Sequence, residues 1–177
     1  MRLDYRLATN SPNCASDIIA SLNYLSQHYR TKRFVVVGSS FSGSPCFSAA
    51  ADEPERIRGI ATIASHNANA AGIAMLSPRP LLLLHSTGDT VLAASCSEAL
   101  CRQYGSEGSC ELKLFEGDDH GLAKYAPEVE GILLGFAGQV LGFEQLLQQS
   151  EDVRALAGQV LAEGLERRGL EDEKLAV

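Results

Sequence analysis

The segment Val37-Gly38-Ser39-Ser40-Phe41-Ser42-Gly43 takes a β-branched run straight into small residues, so the chain must turn sharply there. In the pattern G-x-S-x-G, small flanking residues let the backbone hold a serine hydroxyl proud of a sheet edge in a strained conformation, ready to act as a nucleophile. Gly38 and Ser40 match the first and third positions, while Ser42 stands at the fifth and Gly43 follows it. The same residues also suit a strand-to-helix turn that binds phosphate or simply packs. The turn alone leaves both readings open. A serine hydroxyl is a poor nucleophile until an imidazole takes its proton and an anionic carboxylate holds that imidazole. Both groups occur downstream: Asp89 in His85-Ser86-Thr87-Gly88-Asp89, and His120 in Glu116-Gly117-Asp118-Asp119-His120-Gly121. Asp119 is the reserve acid, since the chain would have to fold back sharply to orient the ring from so near in sequence. His66 and His85 could touch the same site, but each reads more simply as a structural histidine. Cys46, just after the turn, reads as helix packing.

These residues need a frame that brings them together. Apolar side chains at helical spacing predict an amphipathic helix over 17–29, followed by a buried strand at 34–37. The alternation continues with a short helix near 45–51, an apolar run at 57–64, a strand at 80–84, a helix near 93–104, a strand at 110–115 and a helix from 127 to 141. Alternating units of this kind imply an α/β fold, a mostly parallel sheet between helical layers, α/β/α. In the last strand Cys110, Leu112 and Leu114 alternate with Glu111 and Lys113, which places it at a sheet edge with the other runs inside. Ser40, Asp89 and His120 then all lie past the carboxyl ends of strands, where open α/β sheets bind ligands. Residues 1–142 form the domain, and 143–177 a helical tail rich in Leu, Glu and Gln that ends in an acidic segment.

Composition narrows the function classes. The chain has 177 residues, 45% hydrophobic and 21% charged, which fits one globular domain. A net charge of −7 with no cluster of Lys and Arg disfavours nucleic acid as a partner. No apolar run approaches the roughly 18 residues that span a bilayer, and the start Met1-Arg2-Leu3-Asp4 has no apolar leader, so a cytoplasmic protein is expected. Five cysteines without a CxxC pair indicate neither a disulfide framework nor a zinc site, and read as small core residues in a reducing compartment.

Over residues 3–141 the chain resembles the α/β-hydrolase superfamily, in particular its lidless dienelactone-hydrolase-like and short esterase branches. Leu3-Asp4-Tyr5-Arg6 resembles the end of that fold's fourth strand, Val35 to Gly43 its fifth strand and nucleophile elbow, Pro80 to Asp89 its acid-bearing strand and loop, and Leu114 to Gly121 its final strand and histidine loop. The order Ser, Asp, His is also that of the family. The resemblance covers the carboxyl-terminal portion of the fold; the first three strands, and with them one of the family's two oxyanion-hole N–H groups, have no counterpart in this sequence. What it implies is a truncated α/β-hydrolase fold, with Ser40, Asp89 and His120 as the catalytic triad and the Phe41 amide in the oxyanion hole. The expected activity is hydrolysis of an ester, thioester or related acyl compound through an acyl-enzyme, on a small-molecule substrate, with no cofactor or metal required. The alternative is a noncatalytic or weakly active hydrolase-like fragment serving as a binding or assembly module. In either case an exposed sheet edge at residues 35–37, or the tail helix, is where copies of the chain would associate into a homo-oligomer.

Overall fold

The computed structural model describes residues 1–6 and 11–145. The chain divides into a unit Met1–Leu141 and a unit Gly142–Val177; the tail helix expected from the sequence falls almost wholly outside the described residues. In the first unit four strands, β1 (Phe34–Ser39), β2 (Ile57–Ile63), β3 (Leu81–Ser86) and β4 (Cys110–Phe115), form one parallel sheet in chain order. Parallel neighbours need crossovers. These are α2 (Gly43–Asp52) between β1 and β2, a 3₁₀ turn at Ala71–Met75 between β2 and β3, and α3 (Ser95–Tyr104) between β3 and β4. Helix α1 (Ser11–Tyr29) precedes the sheet and α4 (Ala126–Leu141) follows it.

The strand periodicity of two sorts the core into two faces. Ile60, Leu81 and Leu83 pack with Leu22 of α1, Phe47 of α2 and Leu100 of α3. Ala61, Leu82 and Leu84 pack with Phe115, Leu122 and Val129, the last from α4. The result is the expected α/β/α arrangement. Every residue of β3 is buried, as a strand covered on both faces requires. Gly59 lets α4 come close to β2, because a Cβ there would stand 3.0 Å from Val140 Cγ1.

Four sequence expectations need correction. Helix α1 begins at Ser11, six residues ahead of the expected start at 17; Pro12 fits its first turn, where a missing N–H costs nothing. Strand β4 is at an edge as expected, and β1 forms the opposite edge, which corrects the interior position read from its apolar run and agrees with the exposed edge expected at residues 35–37; Val37 is 50% exposed. An unbroken apolar run resembles an interior strand whether or not both neighbours are present, which is why the pattern misled. Met1 to Tyr5 adopts no strand; this segment is instead tied to α1, with Arg6 N–H donating to Asp17 Oδ2 at 3.0 Å and Arg6 Nε to Asp17 Oδ1 at 2.5 Å. Finally, Cys101 and Cys110 form a disulfide with Cα atoms 5.9 Å apart, joining α3 to the start of β4. That pairing removes the support which unpaired cysteines gave to a reducing, cytoplasmic setting. Among the described residues, no helix is long and apolar enough to cross a membrane.

Candidate active site

The turn after β1 is an elbow in geometry as well as in sequence. Ser40 has φ +53°, a left-handed conformation that costs a non-glycine residue about 1–3 kcal/mol and persists only where the surroundings impose it. The surroundings here are close-packed. A Cβ on Gly38 would lie 2.6 Å from the Ser42 carbonyl oxygen, and one on Gly43 would lie 2.0 Å from Ser65 Oγ in the loop after β2. The space that a fifth-position glycine would provide is therefore found one residue later, at Gly43, which explains why Ser42 is tolerated. Ser40–Ser42 is a 3₁₀ turn leading directly into α2.

Asp89 and His120, read from the sequence as candidate acid and base, are in contact. His120 Nδ1 lies 2.7 Å from Asp89 Oδ2, while Asp89 Oδ1 accepts the Val91 and Leu92 N–H groups at 2.8 and 2.9 Å. The Asp89 side chain is fully buried, whereas that of His120 is 26% exposed. Burial opposes ionisation of Asp89, but the Leu92 N–H, His120 and the Val91 N–H together outweigh it and hold the carboxyl below its ordinary pKa. An ionised carboxylate only accepts, so His120 carries its proton on Nδ1 and leaves the Nε2 lone pair free.

The loops bearing the pair are laced together. Ser86 Oγ donates to the Asp118 carbonyl at 2.6 Å and accepts the N–H groups of Asp118 and Gly88, both at 3.0 Å. Thr87 N–H donates to the Phe115 carbonyl at 2.8 Å. Gly88 permits this approach, since a Cβ there would stand 2.9 Å from the Asp118 carbonyl oxygen. Asp118 and Asp119 serve the same end: Asp118 accepts the N–H groups of Asp119, Lys124 and Tyr125, and Asp119 those of Gly121 and Ala123. The hydrogen-bond partner of His120 is thus Asp89, and Asp119 caps the turn that follows.

The structure does not bring every predicted residue into contact. No hydrogen bond joins Ser40 to His120 among the described residues, although both lie past the carboxyl ends of parallel strands at the same edge of the sheet. Beside Ser40, the Phe41 ring stands between two other aromatics, with Tyr5 at 6.3 Å edge-on and His66 at 6.1 Å. Burial pushes the Tyr5 phenol up to about 12, against a hydrogen bond with Ser42 that lowers it. Two residues read from the sequence as bystanders therefore adjoin the site: His66 through Phe41, and His85, whose Nε2 is 3.2 Å from Asp89 Oδ2. Their positions at or just past strand ends were the signal available in the sequence. Among the described residues, no group of three or more His, Cys, Asp or Glu is placed to hold a metal ion.

Comparison with known proteins agrees with the fold. The family described as the alpha/beta hydrolase fold matches residues 5–107, and the chain belongs to it. Similar solved structures include a predicted CIB-like hydrolase from Thermoplasma acidophilum (20% identity, TM-score 0.58, covering 72% of this chain and 59% of that one). An esterase domain of a Rhodothermus marinus protein is also similar (20% identity, TM-score 0.61, 75% and 70%). So is a dienelactone hydrolase from Anabaena variabilis (18% identity, TM-score 0.64, 73% and 60%). The chain spans 59% of the first of these and 60% of the last. No curated protein matches it.

Proposed function

We propose that this protein is a serine hydrolase acting on an ester, thioester or related acyl substrate. The observation that carries the reading is the buried Asp89 carboxylate hydrogen-bonded to His120 Nδ1, at the same sheet edge as a serine held at positive φ on an elbow. In this mechanism His120 Nε2 takes the Ser40 proton as Oγ attacks the acyl carbon, and the carbonyl π electrons move onto oxygen. Asp89 steadies the imidazolium so formed. The Phe41 N–H, in the first turn leading to α2 where backbone donors lack intrahelical acceptors, stabilises the oxyanion. Collapse breaks the bond to the leaving alcohol or thiol, which receives the proton from His120. Water, deprotonated by His120, then attacks the Ser40 ester, and expulsion of Oγ with return of the proton releases the acid. No step calls on a cofactor. The test is hydrolysis of p-nitrophenyl acetate: the account expects turnover by the wild type and its loss in Ser40→Ala and His120→Ala, and equal turnover by all three proteins would refute it.

A second reading is a hydrolase-like module that binds or assembles rather than turns over. It is favoured by the position of β1 at the sheet edge among the described residues, where a groove of about 440 Å³ is lined in part by Leu3, Tyr5, Val35, Val37 and Ser39. Failure of the p-nitrophenyl acetate test would leave this reading standing.

A further inference from the structure

We infer that His85 is a positioning residue for the acid–base pair, holding Asp89 with Oδ2 aimed at His120, an inference that rests on the hydrolase reading above. His85 is the penultimate residue of β3 and is fully buried, so both of its ring nitrogens need partners. Nε2 faces the Leu92 carbonyl oxygen at 3.0 Å and Asp89 Oδ2 at 3.2 Å. Both oxygens can only accept, so Nε2 carries the proton. Nδ1 lies 2.7 Å from Ser97 Oγ, itself buried on α3, and in the neutral ring this nitrogen accepts the Ser97 hydroxyl.

Two consequences bear on Asp89. Leu92 is gripped at both ends of the residue, its C=O by His85 and its N–H by Asp89 Oδ1, so the loop from Asp89 to Leu92 is clamped to the end of β3. In addition, Nε2, whose N–H is directed to the Leu92 carbonyl, lies 3.2 Å from the same carboxylate oxygen that His120 uses. Together these contacts fix the rotation of the carboxylate about its side-chain bonds. Because catalytic geometry misplaced by about 1 Å can cost ~100-fold in rate, loss of the clamp lowers the rate although His85 need not touch substrate.

The experiment compares wild type, His85→Leu, His85→Gln and Ser97→Ala. Competent sites are titrated with a fluorophosphonate so that kcat for p-nitrophenyl acetate is expressed per reactive serine. In parallel, the low-field proton resonance of the His120–Asp89 hydrogen bond is followed by NMR. Leu removes the donor, and kcat per site is expected to fall about 10- to 100-fold with KM within about twofold, accompanied by an upfield shift or loss of the low-field resonance. Gln restores an N–H near the position of Nε2 and should recover most of both signals. Should His85→Leu fail to fold, Ser97→Ala, which frees the ring to turn, is expected to lower kcat per site about 10-fold. Wild-type kcat per site with an unchanged resonance in both His85→Leu and Ser97→Ala would overturn the inference, as would a Gln variant as impaired as the Leu variant. If the wild type itself ignores the fluorophosphonate, the hydrolase reading falls, and the low-field resonance alone decides whether His85 holds the pair.

Discussion

Replacing Asp89 by Asn keeps the shape of the side chain and removes its charge, and the structure determines how the amide must sit. Oδ1 accepts two backbone N–H groups, from Val91 and Leu92, while Oδ2 faces His120 Nδ1 at 2.7 Å. If the amide nitrogen took the Oδ1 place, both backbone donors would lose their acceptor, at about 1–3 kcal/mol each. Placing it at Oδ2 instead sets N–H against N–H, which His120 relieves by moving its proton to Nε2. The second arrangement costs less, and it deprives His120 of the lone pair that must accept the Ser40 proton. Activity should then fall by about 10⁴-fold, as expected for a base held in the wrong tautomer. Stability should fall by only about 2 kcal/mol, the difference between charge-assisted and neutral hydrogen bonds offset by the easier burial of an amide. The assays are p-nitrophenyl acetate hydrolysis and urea unfolding of the same preparations. An Asp89→Asn protein within about tenfold of wild-type activity would refute the assignment of the acid.

Four further outcomes follow from the geometry. Ser40→Gly, which relieves the positive φ, should be about 1 kcal/mol more stable than Ser40→Ala in thermal unfolding, and a less stable Gly variant would show that the elbow is not strained. Gly43→Ala drives a Cβ into Ser65 Oγ and should cost about 1–3 kcal/mol; an unchanged melting temperature would contradict the close packing. Because the folded Asp89 carboxyl is held below its ordinary pKa, its contribution to stability is complete above the unfolded value near ~3.9 and disappears as pH falls through the folded value. The acid limb of wild-type stability should accordingly be steeper than that of Asp89→Asn, and superimposable limbs would refute the shift. Val37→Lys, at the half-exposed edge of β1, should change stability by less than about 0.5 kcal/mol while reducing self-association in sedimentation; an unchanged mass average in a self-associating wild type would show that this edge does not join copies.

Much of this site is local in sequence, and that part was legible. The elbow, the residues after β3 and those after β4 each announce themselves by a strand that ends in small or polar residues. Parallel strands then force all three to one edge of the sheet, so the meeting of Asp89 with His120 follows from topology. What escaped the sequence depends on contacts between distant segments. The edge position of β1 is a question of which neighbours exist: Val35-Val36-Val37 reads the same with one partner or two, and only the family resemblance, not the residue pattern, points to an exposed edge there. The Cys101–Cys110 disulfide requires α3 to run back beside β4, a packing relation that cysteine spacing does not encode. His85 looked structural because a buried histidine usually is; only the arrangement of Leu92, Ser97 and Asp89 around its ring shows where its two nitrogens are directed.

The central claim is that Ser40 is an activated nucleophile, and covalent labelling tests it without any assumption about the substrate. A fluorophosphonate reacts quickly only with a serine whose proton is being removed, so the adduct should map by peptide mass spectrometry to Ser40. Labelling should disappear in Ser40→Ala and drop sharply in His120→Ala, while Ser39→Ala and Ser42→Ala retain it. Undiminished labelling of the Ser40→Ala protein, or an adduct mapped to another serine, would contradict the account.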